Sequence, residues 1–282
     1  MQDLKNKVVL VSGAGSGIGA AMARDAARRG AKVAVSDVRR DAATAVRDDI
    51  VRNGGSAIAL VLDVTSVDSW RAAADQTERE LGPIDLLCSN AGVGPAMQPV
   101  LEQSIDYLHW VMEVNFFGAV YGIKCVAPRM MARRSGHILV TASVAGFASG
   151  ALVSGYGASK HALIGLCESL RGEIAGTGVG LSALCPAGVA TSLMDTTREV
   201  IPQAMGKQLA WSPAAESAMA DATANAGGVM SAEEVARRAL DGVLAGQYYI
   251  FSHLDSRAMT MARADEVRDL FDRMAAAETA RR

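Results

Sequence analysis

Seven short apolar runs alternate with helix-like patterns along this chain. The runs are centred near Val8, Val33, Ile58, Ile84, Ile138, Val179 and Tyr248. Each is short enough to be one buried strand, and helical spacing of apolar residues fills the segments between them. Strands that alternate with helices are typical of right-handed crossovers, which build a parallel sheet covered by helices on both faces. The pattern therefore predicts an α/β fold with a doubly wound, parallel, seven-stranded sheet.

The 282 residues are predicted to form one domain, 1–282, because no Pro/Ser-rich linker, fixed-period repeat or low-complexity tract interrupts them. One connection is unusually long. A Met- and Ala-rich insertion, 192–230, follows the sixth strand, and such long connections are usually lids or binding elements. We therefore predict a substrate-binding lid over 192–230. The charged pattern of 255–282 predicts a helical tail.

Composition and charge limit the classes of protein to which this chain can belong. Half of the residues are hydrophobic, which is enough for a buried core, and the formal net charge is −2. The arginines form no basic stripe, so a nucleic-acid partner is excluded. The chain start has no apolar segment before a cleavage site, so we expect a cytoplasmic protein. The uncharged stretch 138–159 is long enough for a membrane span, but Gly, Ser and Thr interrupt it, and we predict a strand and a polar loop there.

Cysteine and histidine spacing gives no sign of metal or disulfide chemistry. The four cysteines lie far apart without a C-x-x-C pair, mostly within apolar runs, as expected for reduced thiols. The histidines show no ligand spacing, so no metal is predicted. These residues are Cys88, Cys125, Cys167 and Cys185, and His109, His137, His161 and His253.

A glycine-rich turn follows the first strand in the sequence LVSGAGSGIGAAMA, which begins at Leu10. Glycine lets the backbone approach a ligand closely, and the N–H groups at a helix start attract anionic oxygen. Two registers fit. Gly15, Gly17 and Ala20 satisfy G-x-G-x-x-G/A, whereas Gly13, Gly17 and Gly19 give G-x-x-x-G-x-G. Both predict a nucleotide pyrophosphate at the turn, although a lone glycine motif is also found in ordinary flexible loops.

Polar residues follow several of the predicted strands. Asp37 lies 18 residues after Gly19, the spacing at which an acid bonds the adenosine ribose hydroxyls of a dinucleotide. Singly, such residues are more often helix caps or turn residues, but carboxyl ends of parallel strands share one edge of the sheet, so together they favour a site. The other strand-end positions are Asp63-Val64, Ser89 to Gly92, Thr141 with Ser143, and Pro186 to Gly188.

The segment SGYGASKHALIGL carries candidate acid–base chemistry. Tyr156 and Lys160 are four residues apart and share a face if the segment is helical. A nearby ammonium lowers the pKa of a phenol and suits it to proton transfer, and Ser143 could hold a substrate oxygen. By itself this spacing also fits a packed Tyr beside a solvated Lys. Here it follows the glycine turn, the acid and the serine in order.

As a set, Gly13/Gly17/Gly19, Asp63, Asn90-Ala91-Gly92, Asn115, Ser143 and Tyr156-x-x-x-Lys160 resemble the short-chain dehydrogenase/reductase family, with a Rossmann-like fold, from about Val8 to Thr191. The resemblance selects the Gly13/Gly17/Gly19 register. It implies that Tyr156 is the general acid/base, Ser143 polarises the reacting oxygen, Lys160 lowers the tyrosine pKa and binds the nicotinamide ribose, and Asn115 holds a relay water.

The same resemblance implies a nicotinamide dinucleotide. Asp63 and Val64 would contact the adenine, Asn90 the adenosine side, and Val189 and Thr191 the nicotinamide amide. The cofactor-binding residues that we predict are Gly13, Ser16, Gly17, Ile18, Gly19, Asp37, Asp63, Val64, Asn90, Ala91, Gly92, Tyr156, Lys160, Pro186, Gly188, Val189 and Thr191.

NAD is predicted over NADP, because the Asp37 carboxylate would repel the extra phosphate of NADP. Arg39 and Arg40 follow Asp37 and could bind that phosphate, which leaves an NADPH-dependent ketoreductase as an alternative. A non-catalytic nucleotide-binding protein on this fold would be expected to lose Tyr156 or Lys160, and an extended epimerase or dehydratase would need a larger C-terminal domain.

The predicted reaction is hydride transfer between NAD and a secondary alcohol or ketone with an apolar or aromatic body. Helices around Asn115 and after Tyr156 resemble those with which relatives pair, so a homodimer or homotetramer is expected. Where relatives have Pro-Gly, this chain has Pro186-Ala187. The methionines and the tryptophan of the lid region could line the substrate pocket or pack in ordinary helices. They are Met194, Met205, Trp211, Met219 and Met230.

Overall fold

A computed structural model describes residues 1–209, 212–225 and 227–281 of the chain. Its strands coincide with the predicted apolar runs, and two short strands were not predicted. In chain order the strands are β1 (Val8–Ser12), β2 (Lys32–Asp37), β3 (Ser56–Val61), β4 (Ile84–Ser89), β5 (Gly136–Thr141), β6 (Val179–Cys185), β7 (Val189–Ala190), β8 (Met230–Ser231) and β9 (Tyr249–Phe251).

Seven of these strands form one parallel sheet in the order β3-β2-β1-β4-β5-β6-β9, which confirms the predicted fold class. All five residues of β1 are buried, as expected for a strand covered on both faces. The chain builds outward from β1 to β3 and then starts again at β4 on the other side of β1. Between β1 and β4 the topology therefore reverses, and ligands of such sheets bind beyond the carboxyl ends of the strands at this point.

Helices cover both faces of the sheet. In the described ranges, no helix is both long and apolar enough to cross a membrane. The helices are α1 (Gly17–Arg28), α2 (Arg40–Arg52), α3 (Val67–Leu81), α4 (Ile105–Met112), α5 (Gly118–Arg133), α6 (Ser154–Glu173), α7 (Leu193–Val200), α8 (Pro213–Asn225), α9 (Ala232–Leu244) and α10 (Arg257–Arg281).

Two hydrophobic layers lie on opposite faces of the sheet. One contains Trp70 of α3, Val126 of α5 and Leu163 of α6. The other contains Met22 of α1 and Leu240 of α9. Burial of these apolar side chains from both faces is the dominant favourable contribution to the stability of the sheet. The sheet thereby becomes a rigid support for the residues at its carboxyl edge.

The predicted lid region, 192–230, contains α7, a 3-10 segment over Gln203–Leu209, and α8. It begins after β7 and ends at β8, and these two strands pair in parallel through Val189 and Met230. The short ribbon fixes both ends of the insertion beside the main sheet. The predicted tail is the helix α10, and its apolar residues Leu270, Phe271 and Met274 are exposed.

Replacing Trp70 by Ala is expected to lower the free energy of unfolding by about 3–5 kcal/mol, since a large cavity remains after such a truncation. Trp70 is 0% exposed, its indole N–H donates to the carbonyl of Val64 over 3.2 Å, and the backbone of Gly122 approaches its ring. Urea unfolding followed by circular dichroism measures the change.

Arg71→Ala is the matched control on the same helix, because the Arg71 side chain is 64% exposed and pairs only with the exposed Asp68. We expect this control to change stability by less than about 0.5 kcal/mol. Equal small effects of both substitutions would contradict the role of Trp70 in the core.

Candidate active site

A cleft of about 700 Å³ lies at the carboxyl edge of the sheet, where the strand order reverses between β1 and β4. Residues from the glycine turn, the strand ends, α4, α6 and α7 line it, as expected for a ligand site of this fold. Among the described residues, no group of three or more His, Cys, Asp or Glu side chains is arranged to hold a metal ion. The cleft contains most of the predicted site residues, namely Gly13, Ser16, Gly17, Ile18, Asp37, Asp63, Val64, Asn90, Ala91, Gly92, Ser143, Tyr156, Lys160, Pro186, Val189 and Thr191.

At each position of the predicted register, steric constraints explain why the residue is glycine. Gly13 and Gly17 have φ angles of +63° and +52°, which favour glycine. A Cβ on Gly19 would collide with the carbonyl oxygen of Gly13. Ser16 precedes α1 without a side-chain capping bond, so its side chain takes up none of the first N–H groups of the helix. The turn is therefore open to an anionic group.

Gly15 has a role that the selected register did not assign. Its N–H donates to Oδ2 of Asp37 over 2.9 Å, and a Cβ there would lie 2.7 Å from that oxygen and 2.7 Å from the Cβ of Ala42. Only a glycine lets the turn approach the end of β2 so closely. The signal in the sequence was the strict alternation of glycines, of which Gly15 is one.

Asp37 is 6% exposed and carries two further bonds on its other oxygen. Oδ1 accepts from the backbone N–H of Arg39 over 3.0 Å and from its Nε over 3.4 Å. Arg39 also lines the cleft. The carboxylate is thus held in place by three donors, and a carboxylate has about four lone-pair positions, so one remains for a ligand hydroxyl.

Asn90 connects the glycine turn to β5. Its Nδ2 donates to the carbonyl of Ser12 over 3.1 Å and to that of Gly13 over 3.4 Å, and its Oδ1 accepts from the hydroxyl of Thr141 over 3.1 Å. The Ser12 hydroxyl in turn accepts from the backbone N–H of Asn90 over 3.0 Å. Asn90 lines the cleft, but its side chain is engaged mainly in holding three strand ends together.

Asp63 and Val64 lie beyond the end of β3. One oxygen of Asp63 accepts from the backbone N–H and the hydroxyl of Thr65, over 2.9 and 2.7 Å. This turn is fixed by the start of α3, because the N–H of Asp63 donates to the hydroxyl of Ser69 over 3.1 Å. Both residues therefore form a rigid, polar corner at one end of the cleft.

Tyr156 and Lys160 share a face of α6, as the spacing predicted. The ammonium nitrogen of Lys160 lies 5.6 Å from the ring centroid of Tyr156 and donates to the carbonyl of Thr141 over 3.0 Å. Ser143, at the end of β5, accepts from the N–H of Ala145 over 3.1 Å and donates to the carbonyl of Pro186 over 3.3 Å, and its hydroxyl also interacts with the phenol of Tyr156. The three side chains therefore meet at one point of the cleft wall.

Burial governs the protonation of this group. It raises the pKa of the Tyr156 phenol, and the hydrogen bond with Ser143 opposes the rise. Burial also lowers the pKa of Lys160 to about 8, with a smaller opposing effect of Cys185. The sequence predicted a lowered tyrosine pKa from the neighbouring ammonium; in the structure, desolvation of the phenolate outweighs other influences and the pKa moves upward.

Asn115 lies behind the cleft wall, in a π-helical turn over Glu113–Phe117 that joins α4 to α5. Its Oδ1 accepts from the N–H of Val93 over 2.7 Å, and its Nδ2 donates to the carbonyl of Val93 and to the hydroxyl of Ser159. The π-turn directs the amide at the loop after β4 and at α6 together. Such turns occur frequently at functional sites.

The loop after β6 is tied to the C-terminal part of the chain. The N–H of Ala187 donates to the hydroxyl of Ser252 over 3.1 Å, and Ala187 is not among the described residues with positive φ. Alanine in place of the usual glycine therefore causes no backbone strain. A Cβ on Gly188 would lie 2.5 Å from the carbonyl oxygen of Gly228, so Gly188 packs against the end of the insertion 192–230. Like Gly19 and Asn115, it supports the cleft without lining it.

Helix α7 covers the cleft. The hydroxyl of Thr197, which is 1% exposed, accepts from the N–H of Gly94 over 2.9 Å and anchors the helix to the loop after β4. Leu193, Val200 and Pro202 supply apolar surface to the cleft, together with Trp110 of α4. These residues were not predicted from the sequence, because the rotation of α4 and α7 about their axes is set by tertiary packing.

The methionines proposed for the pocket have other surroundings. Met194 and Met205 pack in a third hydrophobic cluster with Val111 of α4, and Met230 packs beside the layer that contains α1 and α9. Trp211 and the side chain of Met219 lie outside the described part of the chain. His109, for which no role was predicted, lines the cleft.

Replacing Lys160 by Met is expected to raise stability at pH 7. The charged lysine opposes folding, because its pKa is about 8 in the folded chain and near 10.5 when unfolded. As the pH rises, the folded wild type releases this proton at a lower pH than the unfolded chain does. The stability of the wild type therefore rises between pH 8 and 10.5, and the stability advantage of the variant shrinks over that range. Removal of the ammonium should raise the free energy of unfolding at pH 7 by about 1 kcal/mol, once the loss of its hydrogen bond to Thr141 is subtracted.

Thermal unfolding at pH 7 and pH 10 measures this difference. Lys124→Met, on α5 at an exposed position, is the control and should show no such pH dependence. Destabilisation of the Lys160 variant at pH 7 would contradict the expectation.

The family model described as short chain dehydrogenase matches residues 7–201. The 1-deoxy-11-beta-hydroxypentalenate dehydrogenase of Streptomyces exfoliatus is 33% identical over 94% of this chain and 89% of its own. A short chain dehydrogenase/reductase from Burkholderia phymatum, solved in complex with NAD, is 32% identical with a TM-score of 0.87 and covers 95% of this chain and 96% of its own.

A putative gluconate 5-dehydrogenase from Beutenbergia cavernae, solved with bound NADP at low occupancy, is 30% identical with a TM-score of 0.74 over 89% of this chain and 96% of its own. Similarity extends beyond the span of the family model, to most of the chain. This chain therefore belongs to the short-chain dehydrogenase/reductase family, as an oxidoreductase of the dehydrogenase type.

Proposed function

We propose that the protein transfers a hydride between NAD and a secondary alcohol or ketone, with Tyr156 as the general acid/base. The observation that carries this proposal is the convergence of Ser143, Tyr156 and Lys160 on one wall of a cleft that begins at the glycine turn. A hydrogen-bonding hydroxyl, a phenol and a fixed ammonium are the groups needed to hold and protonate one oxygen atom.

The cleft fits a dinucleotide. The turn at Gly13 and Gly17 brings bare backbone and the start of α1 to the position of a pyrophosphate. Asp37 is placed to accept from a ribose hydroxyl at one end, and Thr191, whose side chain would lie 3.2 Å from a Cβ on Gly17, is at the entry to the lid. The lining suits a cofactor that extends from Asp37 to Tyr156. When bound, the nicotinamide ring supplies or accepts the hydride.

Tyr156 and Ser143 act on the substrate oxygen. In the direction of oxidation, the Tyr156 phenolate accepts the proton of the substrate hydroxyl, while the Ser143 hydroxyl donates to the same oxygen. In the direction of reduction, the phenol returns the proton to the developing alkoxide.

Lys160 has two tasks in this proposal. One N–H of its ammonium holds the carbonyl of Thr141, and two remain for the hydroxyls of the nicotinamide ribose. Its charge favours the phenolate form of Tyr156 and opposes the effect of burial. Behind it, Oδ1 of Asn115 accepts one bond from Val93, which leaves a second lone pair for the water of a proton relay.

NAD is the proposed cofactor because Asp37 is nearly buried and negatively charged. A 2′-phosphate next to this carboxylate would meet like-charge repulsion in a partly desolvated cleft. The similar structure from Burkholderia phymatum, solved with NAD, supports this choice. The similar structure from Beutenbergia cavernae, solved with NADP, and the presence of Arg39 in the cleft favour the alternative of an NADPH-dependent ketoreductase.

An apolar or aromatic substrate is supported by the apolar part of the cleft lining. Trp110, Val114, Leu193 and Val200 line the cleft there, and the pentalenate dehydrogenase by its name acts on a hydroxylated carbon skeleton. We further propose that 192–230 acts as the substrate lid and that the chain forms a homodimer or homotetramer.

Tyr156→Phe is expected to abolish turnover and to retain NAD binding, because the ring still packs while the transferable proton is lost. The purified enzyme is incubated with NAD and a panel of cyclic, aromatic and aliphatic secondary alcohols, and the absorbance of the reduced cofactor is recorded. Intrinsic fluorescence titration measures the affinity for NAD.

Tyr107→Phe is the matched control, since Tyr107 is also buried but donates to the carbonyl of Gly94 over 3.3 Å away from the acid–base group. It should keep at least about a third of the rate, in line with the loss of one neutral hydrogen bond. Wild-type rates in Tyr156→Phe would disprove the mechanism.

Asp37→Ala is expected to remove the cofactor preference. We expect wild type to favour NAD over NADP at least tenfold in kcat/KM, about 1.4 kcal/mol, and the variant to lose most of that factor. Both cofactors are compared with one alcohol under identical conditions. Equal or better use of NADP by wild type would show that the arginines decide.

A further inference from the structure

Arg39 lies between two carboxylates that belong to different parts of the fold. Its Nε donates to Oδ1 of Asp37 over 3.4 Å, and its Nη1 donates to Oε2 of Glu199 over 2.6 Å. Asp37 ends β2, whereas Glu199 lies 160 residues after Arg39, in the last turn of α7. One guanidinium thus joins the residue proposed to select the cofactor to the helix that covers the cleft.

Guanidinium is the side-chain group best suited to bind a phosphate, because its planar fork offers parallel N–H donors. Arg39 lines the cleft beside Asp37, where the 2′-phosphate of NADP would arrive. Its charge is already shared between two acids, however, and the three side chains together carry one net negative charge. To bind the phosphate, Arg39 would have to release Glu199 and leave it without this partner.

The position of Glu199 is set by its helix. Thr197, two residues earlier, is buried and anchors α7 to the loop after β4 through the N–H of Gly94. The side chain of Glu199 is 57% exposed and that of Arg39 is 25% exposed. Solvent therefore partly screens the Arg39–Glu199 ion pair, and we expect this pair to have a moderate effect on the affinity for the cofactor.

We propose that Glu199 is a specificity-determining residue: it holds Arg39 away from the 2′-phosphate of NADP and so strengthens the preference for NAD. This inference rests on the proposed use of NAD. It gives helix α7 of the predicted lid region a role in the choice of cofactor, in addition to the roles of Asp37 and the glycine turn. The effect acts through Arg39, since Glu199 does not line the cleft.

Isothermal titration calorimetry of the full-length protein with NAD and with NADP, at one ionic strength, tests the proposal without turnover. Glu199→Gln keeps the shape of the side chain and removes its charge. We expect NADP to bind about tenfold more tightly relative to NAD in this variant, because a charge-assisted bond to Arg39 is freed for the phosphate. In Arg39→Ala/Glu199→Gln this gain should disappear.

Asp195→Asn is the matched control. Asp195 lies on the same helix and pairs with Arg198 over 3.0 Å, so its substitution removes one negative charge without touching Arg39. We expect it to leave the ratio of the two affinities within about twofold of wild type, since it changes only long-range, screened electrostatics.

The outcomes separate this inference from the proposed function. If wild type prefers NAD and Glu199→Gln leaves the ratio unchanged, or weakens both cofactors equally, the pair only anchors the lid and the inference is wrong while the proposed function stands. If Asp195→Asn changes the ratio as much as Glu199→Gln, general charge is responsible and the inference is again wrong. A wild type that binds neither cofactor, or prefers NADP, overturns the proposed use of NAD and this inference with it.

Discussion

The amide of Asn90 connects the parts of the site to one another. Through Nδ2 it holds the carbonyls of Ser12 and Gly13, and through Oδ1 it holds the hydroxyl of Thr141. The carbonyl of Thr141 then accepts from Lys160. The glycine turn, the end of β5 and helix α6 are thus linked by direct hydrogen bonds. In a buried region each of these bonds is costly to break, because an unpaired polar group would remain.

This linkage explains why the fold can tolerate a buried ammonium. Lys160 is held by the carbonyl of Thr141 over 3.0 Å. The buried charge opposes folding, and the two hydrophobic layers on either side of the sheet offset it. Functional sites commonly hold such unfavourable groups, and the surrounding structure supports them.

Much of the fold followed from the sequence because buried parallel strands are continuous apolar runs, and the seven runs from Val8 to Tyr248 correspond to the seven strands of the sheet. Strand-end residues such as Asp37 and Ser143 were found for a related reason, since carboxyl ends share one edge. The ribbon of β7 and β8 was missed because two-residue strands carry no periodicity. The pKa direction of Tyr156 was missed because burial depends on the whole fold. The contacts of Arg39 with Glu199 depend on tertiary placement of α7.

The π-turn over Glu113–Phe117 places a constraint on chain length. Such a turn contains one residue more than an α-helix needs, and each helical residue rotates the chain by about 100°. Deletion of one residue here would restore a regular helix with its flanking faces nearly unchanged, but the wide turn that directs the amide of Asn115 at Val93 and Ser159 would be lost. In descendants of this protein, surface loops are free to change length, whereas this stretch of helix must change residue by residue with its length conserved.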